Sequence, residues 1–193
     1  AESFLMGDVR KQLGRLISEA LLTGTGENQP KGFYTHFAEA PTHEQFKLVT
    51  HAHGTDEELI AALQAMQFDL KSGYLAGAKY VMARSMFQRV AGLKDGMGRP
   101  MMQPSLDKAY AGSLFGFPIV VDANASEDIP VVLGRLDEAF KVVEIPTSLG
   151  FVRNPYKIDF CVEFTISNRI GTIVGDAEAV VGLKAAVAVR KAK

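Results

Sequence analysis

Between Lys157 and Ser167 polar and apolar residues alternate without interruption. Ile158, Phe160, Val162, Phe164 and Ile166 are separated by Asp159, Cys161, Glu163 and Thr165. A period of two is the signature of a strand with one buried face. A strand running the whole length of this stretch exceeds the usual five or six residues. It therefore predicts an elongated sheet region beside any compact unit, with Arg169 to Val174 continuing into a partner strand or past a bend.

The front of the chain has a different period. From Phe4 to Leu22 apolar residues fall at Leu5, Val9, Leu13, Leu16, Ile17, Ala20 and Leu21, one stripe of a long amphipathic helix. Residues 33–54 are mixed, contain Pro41 and histidines, and read as loop or irregular strand. Thr55, three residues before Glu58, predicts a capping box opening a second helix. Leu59, Ile60, Leu63, Met66 and Leu70 would be its buried face and Gly73 its stop. Ala78 to Met82 is short and β-prone. Ser85 with Gln88 predicts the cap of a third helix running through Phe87, Val90 and Leu93 to Asp95-Gly96. With a strand at Phe117 to Val121, the order helix, strand, helix, strand indicates a compact α/β unit. The apolar stretch Ala179 to Leu183 predicts a buried strand returning to that unit.

Bulk properties narrow the function classes. The chain has 193 residues, 47% hydrophobic and 22% charged, so it is long enough to bury roughly 70% of its unfolded surface. A net charge of -1 and a pI near 6.5 leave no electrostatic case for tight nucleic-acid binding. One cysteine, Cys161, excludes an internal disulfide and a cysteine zinc cluster and suits a reducing compartment. No apolar run approaches the roughly 20 residues of a membrane span, and no signal peptide opens the chain. The start Ala1-Glu2-Ser3, without Met and already in a helical pattern, reads as a fragment lacking its natural N-terminal part.

The stretch Leu21 to Phe33, LLTGTGENQPKGF, raises the question of phosphate binding. A phosphate loop needs Gly-Lys-Ser/Thr opening a helix, and a dinucleotide fingerprint needs a strand before and a helix after. Here the glycines follow a helix and Lys31 precedes Gly32. Gly24, Gly26, Pro30 and Gly32 are therefore read as a structural turn, with Gly24 at positive φ ending the helix. His51 and His53 would share one face of a strand, near His43 and His36, but lack further ligands at characteristic spacing, which leaves a polar segment before a helix as the better reading. Ser113 follows Gly112 directly and is not a nucleophile elbow. Cys161 sits in the alternating stretch with no histidine near it in sequence. Asp137 and Glu138, if on a strand, point to opposite faces and cannot share a proton. Met82, Met86, Met97, Met101 and Met102 gather around the third helix; Met82 reads as core, whereas Met101 and Met102 are open between core filler and an adaptable binding surface. No catalytic residue, cofactor site or metal site is assigned.

Several segments together resemble the major capsid proteins of tailed bacteriophages. EALLTGTGENQPKGF is similar to the exit of that family's long spine helix. AKYVMARSMFQRVAGLKDGMGRPMMQPS resembles its strand, helix and LKD..GRP turn, and SLFGFPIVV its LLG.PVV strand. GRLDEAFKVVEI resembles the strand before the return to the sheet, and RIGTIVGDAEAVVGLKAA the family's ending. The matches are collinear from Asp8 to Ala186. The resemblance implies the α+β phage capsid fold, shared with encapsulins, with a long spine helix, an elongated β-sheet peripheral region and a compact α/β axial region. It would divide the chain into residues 1–54 (peripheral, spine helix and exit), 55–142 (axial), 143–175 (peripheral long strands) and 176–193 (C-terminal strand returning to the axial region). The family's N-terminal arm and extended loop would lie before Ala1. Some members cross-link a Lys of that loop to an Asn, helped by a Glu; Glu163 is present near the expected place but the Asn is not, so no cross-link is carried over.

The resemblance implies a non-enzymatic shell protein of a phage or prophage, assembled in the bacterial cytoplasm into the virion capsid. Its partners would be copies of itself in pentamers and hexamers, with scaffold, portal or decoration proteins besides, and neither membrane nor tightly bound nucleic acid. An encapsulin-like compartment shell is the alternative on the same fold, and a small α/β nucleotide- or metal-binding enzyme the alternative outside it. Without the arm and loop, the 193-residue chain is expected to be monomeric or weakly associated; light scattering that finds stable closed shells would contradict this.

Overall fold

The computed structural model describes residues 2–38, 45–51, 54–105, 107, 109–145, 150–158 and 161–185. It opens with the expected helix, α1 (Glu2–Thr23), followed by a 3-10 turn (Tyr34–His36) and the strands β1 (Phe37–Ala38) and β2 (Phe46–His51). Then come α2 (Asp56–Asp69), α3 (Ser72–Leu75), β3 (Lys79–Ala83) and α4 (Arg84–Ala91). β4 (Gly112–Leu114), β5 (Phe117–Asp122), β6 (Val131–Gly134) and α5 (Leu136–Ala139) lead into β7 (Phe140–Glu144). The last third holds β8 (Gly150–Ile158), β9 (Cys161–Ser167), β10 (Ile170–Val174), a 3-10 turn (Ala177–Ala179) and β11 (Val180–Ala185).

Seven strands form one mixed sheet in the order β1-β2-β11-β6-β3-β5-β4. β11 runs parallel to β2 and antiparallel to β6, so the returning C-terminal strand sits inside the sheet. Residues 46–51, grouped with the helix from sequence, thus hydrogen-bond to the last strand of the chain. Both faces are covered, and side chains of the central strands alternate between them. Tyr80, Met82, Val131, Leu133, Val181 and Leu183 enter one core with Leu59, Leu63 and Met66 of α2 and Val90 of α4. Val81, Val132 and Val180 enter the other with Phe33, Tyr34 and Phe46. Rings of Phe33, Phe37 and Phe46 meet at centroid distances of 5.1–5.3 Å, the range of favourable aromatic pairs. The remaining strands make two small antiparallel ribbons, β7 with β10 and β8 with β9.

Local signals explain most element starts. The capping box is present: Glu58 N–H donates to Thr55 Oγ1 at 3.3 Å and Thr55 N–H to Glu58 Oε2 at 3.0 Å. Three expectations need correction. α2 stops at Asp69, because Leu70 turns extended to bury its own side chain, and Gly73 lies inside α3. α4 is capped by Ala83 without a side-chain bond; Ser85 is in its first turn, and the helix ends at Ala91. The long alternating strand is two antiparallel strands, β8 and β9, with Ile158 the register partner of Cys161; residues 159–160 lie outside the described residues. Asp159-Phe160 offers one common turn residue, Asp, but no Gly, Pro or Asn beside it, and the alternation continues in phase across the pair.

Tyr80 ties α2 to the sheet. Its hydroxyl donates to the Leu63 carbonyl and accepts from Gln67 Nε2, both at 3.0 Å. Burial pushes its pKa up to about 12 from 10.0. The unfolded chain therefore loses this proton first, and stability present below pH 10 is lost as pH rises towards 12. Denaturant melts between pH 9 and 12 should show a fall that Tyr80→Phe reduces by up to roughly 2–3 kcal/mol. Leu63→Ala, at a fully buried position, should cost about 2–5 kcal/mol at neutral pH in the same measurement.

Candidate functional site

The exit of α1 closes on itself. Gly24 N–H donates to Ala20 O at 3.0 Å, Gly32 N–H to Gly24 O at 2.8 Å, and Phe33 N–H to Leu21 O at 2.8 Å. Thr25 and Lys31 form an antiparallel bridge, and the Gln29 side chain donates to Thr25 Oγ1 at 2.9 Å. The loop is thus a small ring of chain folded against the helix end. Gly24 is not at positive φ, contrary to expectation; Gly26 (φ 90°) and Asn28 (φ 57°) take the left-handed positions. Gly24 and Gly32 are needed for closeness instead. A Cβ on Gly24 would lie 2.1 Å from Pro30 O, and one on Gly32 would lie 2.5 Å from Gly24 N. Two backbones touch there, and a methyl group has no room.

Thr172 Oγ1 donates to Lys31 O at 2.8 Å, joining the loop to β10. Together α1, the loop and the β7–β10 ribbon bound an open groove of about 1120 Å³. Leu13, Leu16 and Ile17 line it from the helix, Val143 from β7 with Ile145 just after that strand, and Ile170 from β10. Its apolar rim is unusually bare: Leu16 is 62% exposed, and Val143 and Ile145 are each 49% exposed. The β8–β9 hairpin also exposes Val152, Val162 and Tyr156, the last at 93%. A groove with several bare apolar side chains marks a contact surface, unlike isolated exposed residues.

The other candidate residues do not assemble into a reactive site. His36 is buried between the rings of Phe46 and Phe140, at 5.9 and 6.0 Å. His43 and His53 lie outside the described residues, and His51 is the last residue of β2. Among the described residues no group of three metal-ligating side chains occurs. Asp137 and Glu138 lie on α5, not on a strand, and both face Arg135 at 2.8 Å. The hydrogen bond from Arg135 holds the Asp137 carboxyl below its ordinary range. One guanidinium thus bridges both carboxylates, and the trio keeps a net charge of -1. Ser113 exchanges backbone bonds with Gln103 in the sheet, and Cys161 opens β9 opposite Ile158. Met82 and Met86 are core, Met101 and Met102 pack against it half-buried, and Met97 is exposed. Among the described residues no helix is long and apolar enough to cross a membrane.

Sequence reasoning passed over the apolar groove. Its signal is KVVEI: Val142 and Val143 put an apolar residue on each face of β7 and Ile145 follows directly, whereas a strand with one wet face alternates.

The phage capsid family model matches residues 1–185. Among solved structures, the capsid of an empty GTA particle, computed with C5 symmetry, is 25% identical with a TM-score of 0.79, covering 96% of this chain and 66% of that one. The capsid of the native GTA particle gives the same identity and score, covering 96% and 65%. A structure from Gordonia phage Cozz is 17% identical with a TM-score of 0.54, covering 95% and 63%. The chain therefore spans slightly less than two thirds of the length of each. No curated protein gives a significant match.

The glycine contacts predict a sharp contrast. Gly24→Ala should lower stability by at least about 2 kcal/mol, since backbone must move to admit the methyl group. Gly26→Asn, at a left-handed position with the nearest atom 3.4 Å from the added Cβ, should cost about 1 kcal/mol or less. Urea melts of the two variants decide the matter.

Proposed function

This chain belongs to the phage capsid family, and we propose on that basis that it is a shell subunit, built to bind copies of itself in pentamers and hexamers around a genome. The observation that carries the reading is the bare apolar groove between α1 and the β7–β10 ribbon on a molecule whose seven-stranded sheet is covered on both sides. Such a face is costly for a solitary protein and natural for one whose neighbours bury it. The capsid computed with C5 symmetry supports the fivefold arrangement.

In this reading residues 55–142 and the C-terminal strand form the axial region, and residues 1–54 with residues 143–175 the peripheral one. Assembly takes place in the host cytoplasm, and scaffold, portal or decoration proteins are the additional partners. The mechanism is burial. Each contact contributes little, but closed symmetry repeats it around the shell. A net charge of -1 leaves long-range repulsion between copies small.

Charge placed in the groove tests the reading. In the protein expressed from its full reading frame, Leu16→Glu with Val143→Glu should leave the circular dichroism spectrum unchanged. Particle yield by sedimentation should fall at least roughly tenfold, the effect of removing two central apolar contacts. Undiminished particle yield would show that this face is not a subunit contact.

A further inference from the structure

The β7–β10 ribbon joins the seven-stranded sheet through a narrow junction. The chain leaves the sheet after Gly134 and returns to it through Gly175 and Asp176. Between these crossings α5 and the 3-10 turn 177–179 lie side by side. They are linked by Arg135 N–H to Ala179 O at 3.0 Å, Gly175 N–H to Ala139 O at 2.9 Å and Asp176 N–H to Glu138 O at 3.1 Å. Both glycines are required there. A Cβ on Gly134 would lie 2.2 Å from Ala179 O, and one on Gly175 would lie 2.1 Å from Glu138 O.

A second element reaches across this junction from the sheet side. α3 and the residue before it place Tyr74 and Lys71 against the returning chain. The Tyr74 hydroxyl donates to Asp176 Oδ2, and Lys71 Nζ pairs with Glu178 Oε2. The Tyr74 ring packs against both hydrophobic cores and so spans the seam between the two faces of the sheet. Asp176 also accepts from Glu178 N–H at 2.9 Å, which fixes the 3-10 turn carrying the second ion pair.

We infer that Lys71 and Tyr74 form a latch on a two-strand hinge, setting the tilt of the β7–β10 ribbon relative to the seven-stranded sheet. The junction backbone is the pivot, where a few residues at element ends absorb the change in φ and ψ. The aromatic contact of Phe140 with Phe33, at 5.6 Å between centroids, seats the base of the ribbon. Because β7 and β10 line the apolar groove, the latch controls the geometry of that face. The inference rests on contacts within one chain and stands whether or not the chain builds a shell.

Hydrogen exchange on the 193-residue chain tests it, comparing the wild type with Lys71→Ala/Tyr74→Phe. Amides in residues 140–144 and 170–174 should exchange roughly tenfold faster, the scale that two partly exposed charge-assisted contacts support. Amides of β3, β6 and β11 should stay protected. The swap Lys71→Glu/Glu178→Lys should restore slow exchange in the ribbon, whereas Lys47→Ala, which breaks a salt bridge to Asp69, should leave the ribbon unaffected. Unchanged ribbon exchange would overturn the latch. Equal loss of protection in the seven-stranded sheet would also overturn it, since Lys71 and Tyr74 would then only stabilise the whole fold.

Discussion

The structure depends on the seating of β11 between β2 and β6. This strand comes from the far end of the chain, yet it supplies the ladder that joins β1-β2 to β6-β3-β5-β4. Its alternation divides cleanly, with Val181 and Leu183 in one core and Val180 in the other. Gly182 sits where a side chain would collide with the Phe37 ring, 2.5 Å from its Cε1. Without β11 the α2 face would lose its floor, and the aromatic cluster at the exit of α1 would lose its wall.

The rest of the molecule is arranged around that sheet. α1 is tied to it at its C-terminal end, where Gly24 and Gly32 let the chain double back and deliver Phe33 to the core. The β7–β10 ribbon is tied at its base, through the glycine junction and Phe140. These two attachments hold helix and ribbon on either side of an apolar groove that the chain itself leaves open. A compact, well-covered sheet thus supports an exposed face, a division of labour suited to a subunit whose surface is completed by neighbours.

Elements with a local chemical cause were legible in the sequence. The Thr55–Glu58 capping box, the stripe of α1 and the apolar strand near Val180 are each written in a few adjacent residues. The collinear motifs led to the capsid fold, with which the family match and the solved structures agree. What escaped has no local signature. Between β8 and β9 the sequence has only Asp159 as a turn residue and keeps its period of two, so the two strands read as one. Asp137 and Glu138 lie on a helical turn set by the packing of Arg135, which spacing alone does not reveal. At Gly24 backbone proximity to Pro30, a tertiary fact, demands glycine, and not the left-handed φ that the sequence suggests. The groove arises only when α1 meets a ribbon separated from it by more than a hundred residues.

The central claim is that this chain is a shell subunit, and electron microscopy of the protein expressed from its full reading frame tests it most directly. The account predicts closed particles of uniform diameter with fivefold vertices. Purified, folded protein that remains dispersed at high concentration, with no particles formed under any assembly condition or with co-expressed neighbouring genes, would contradict it.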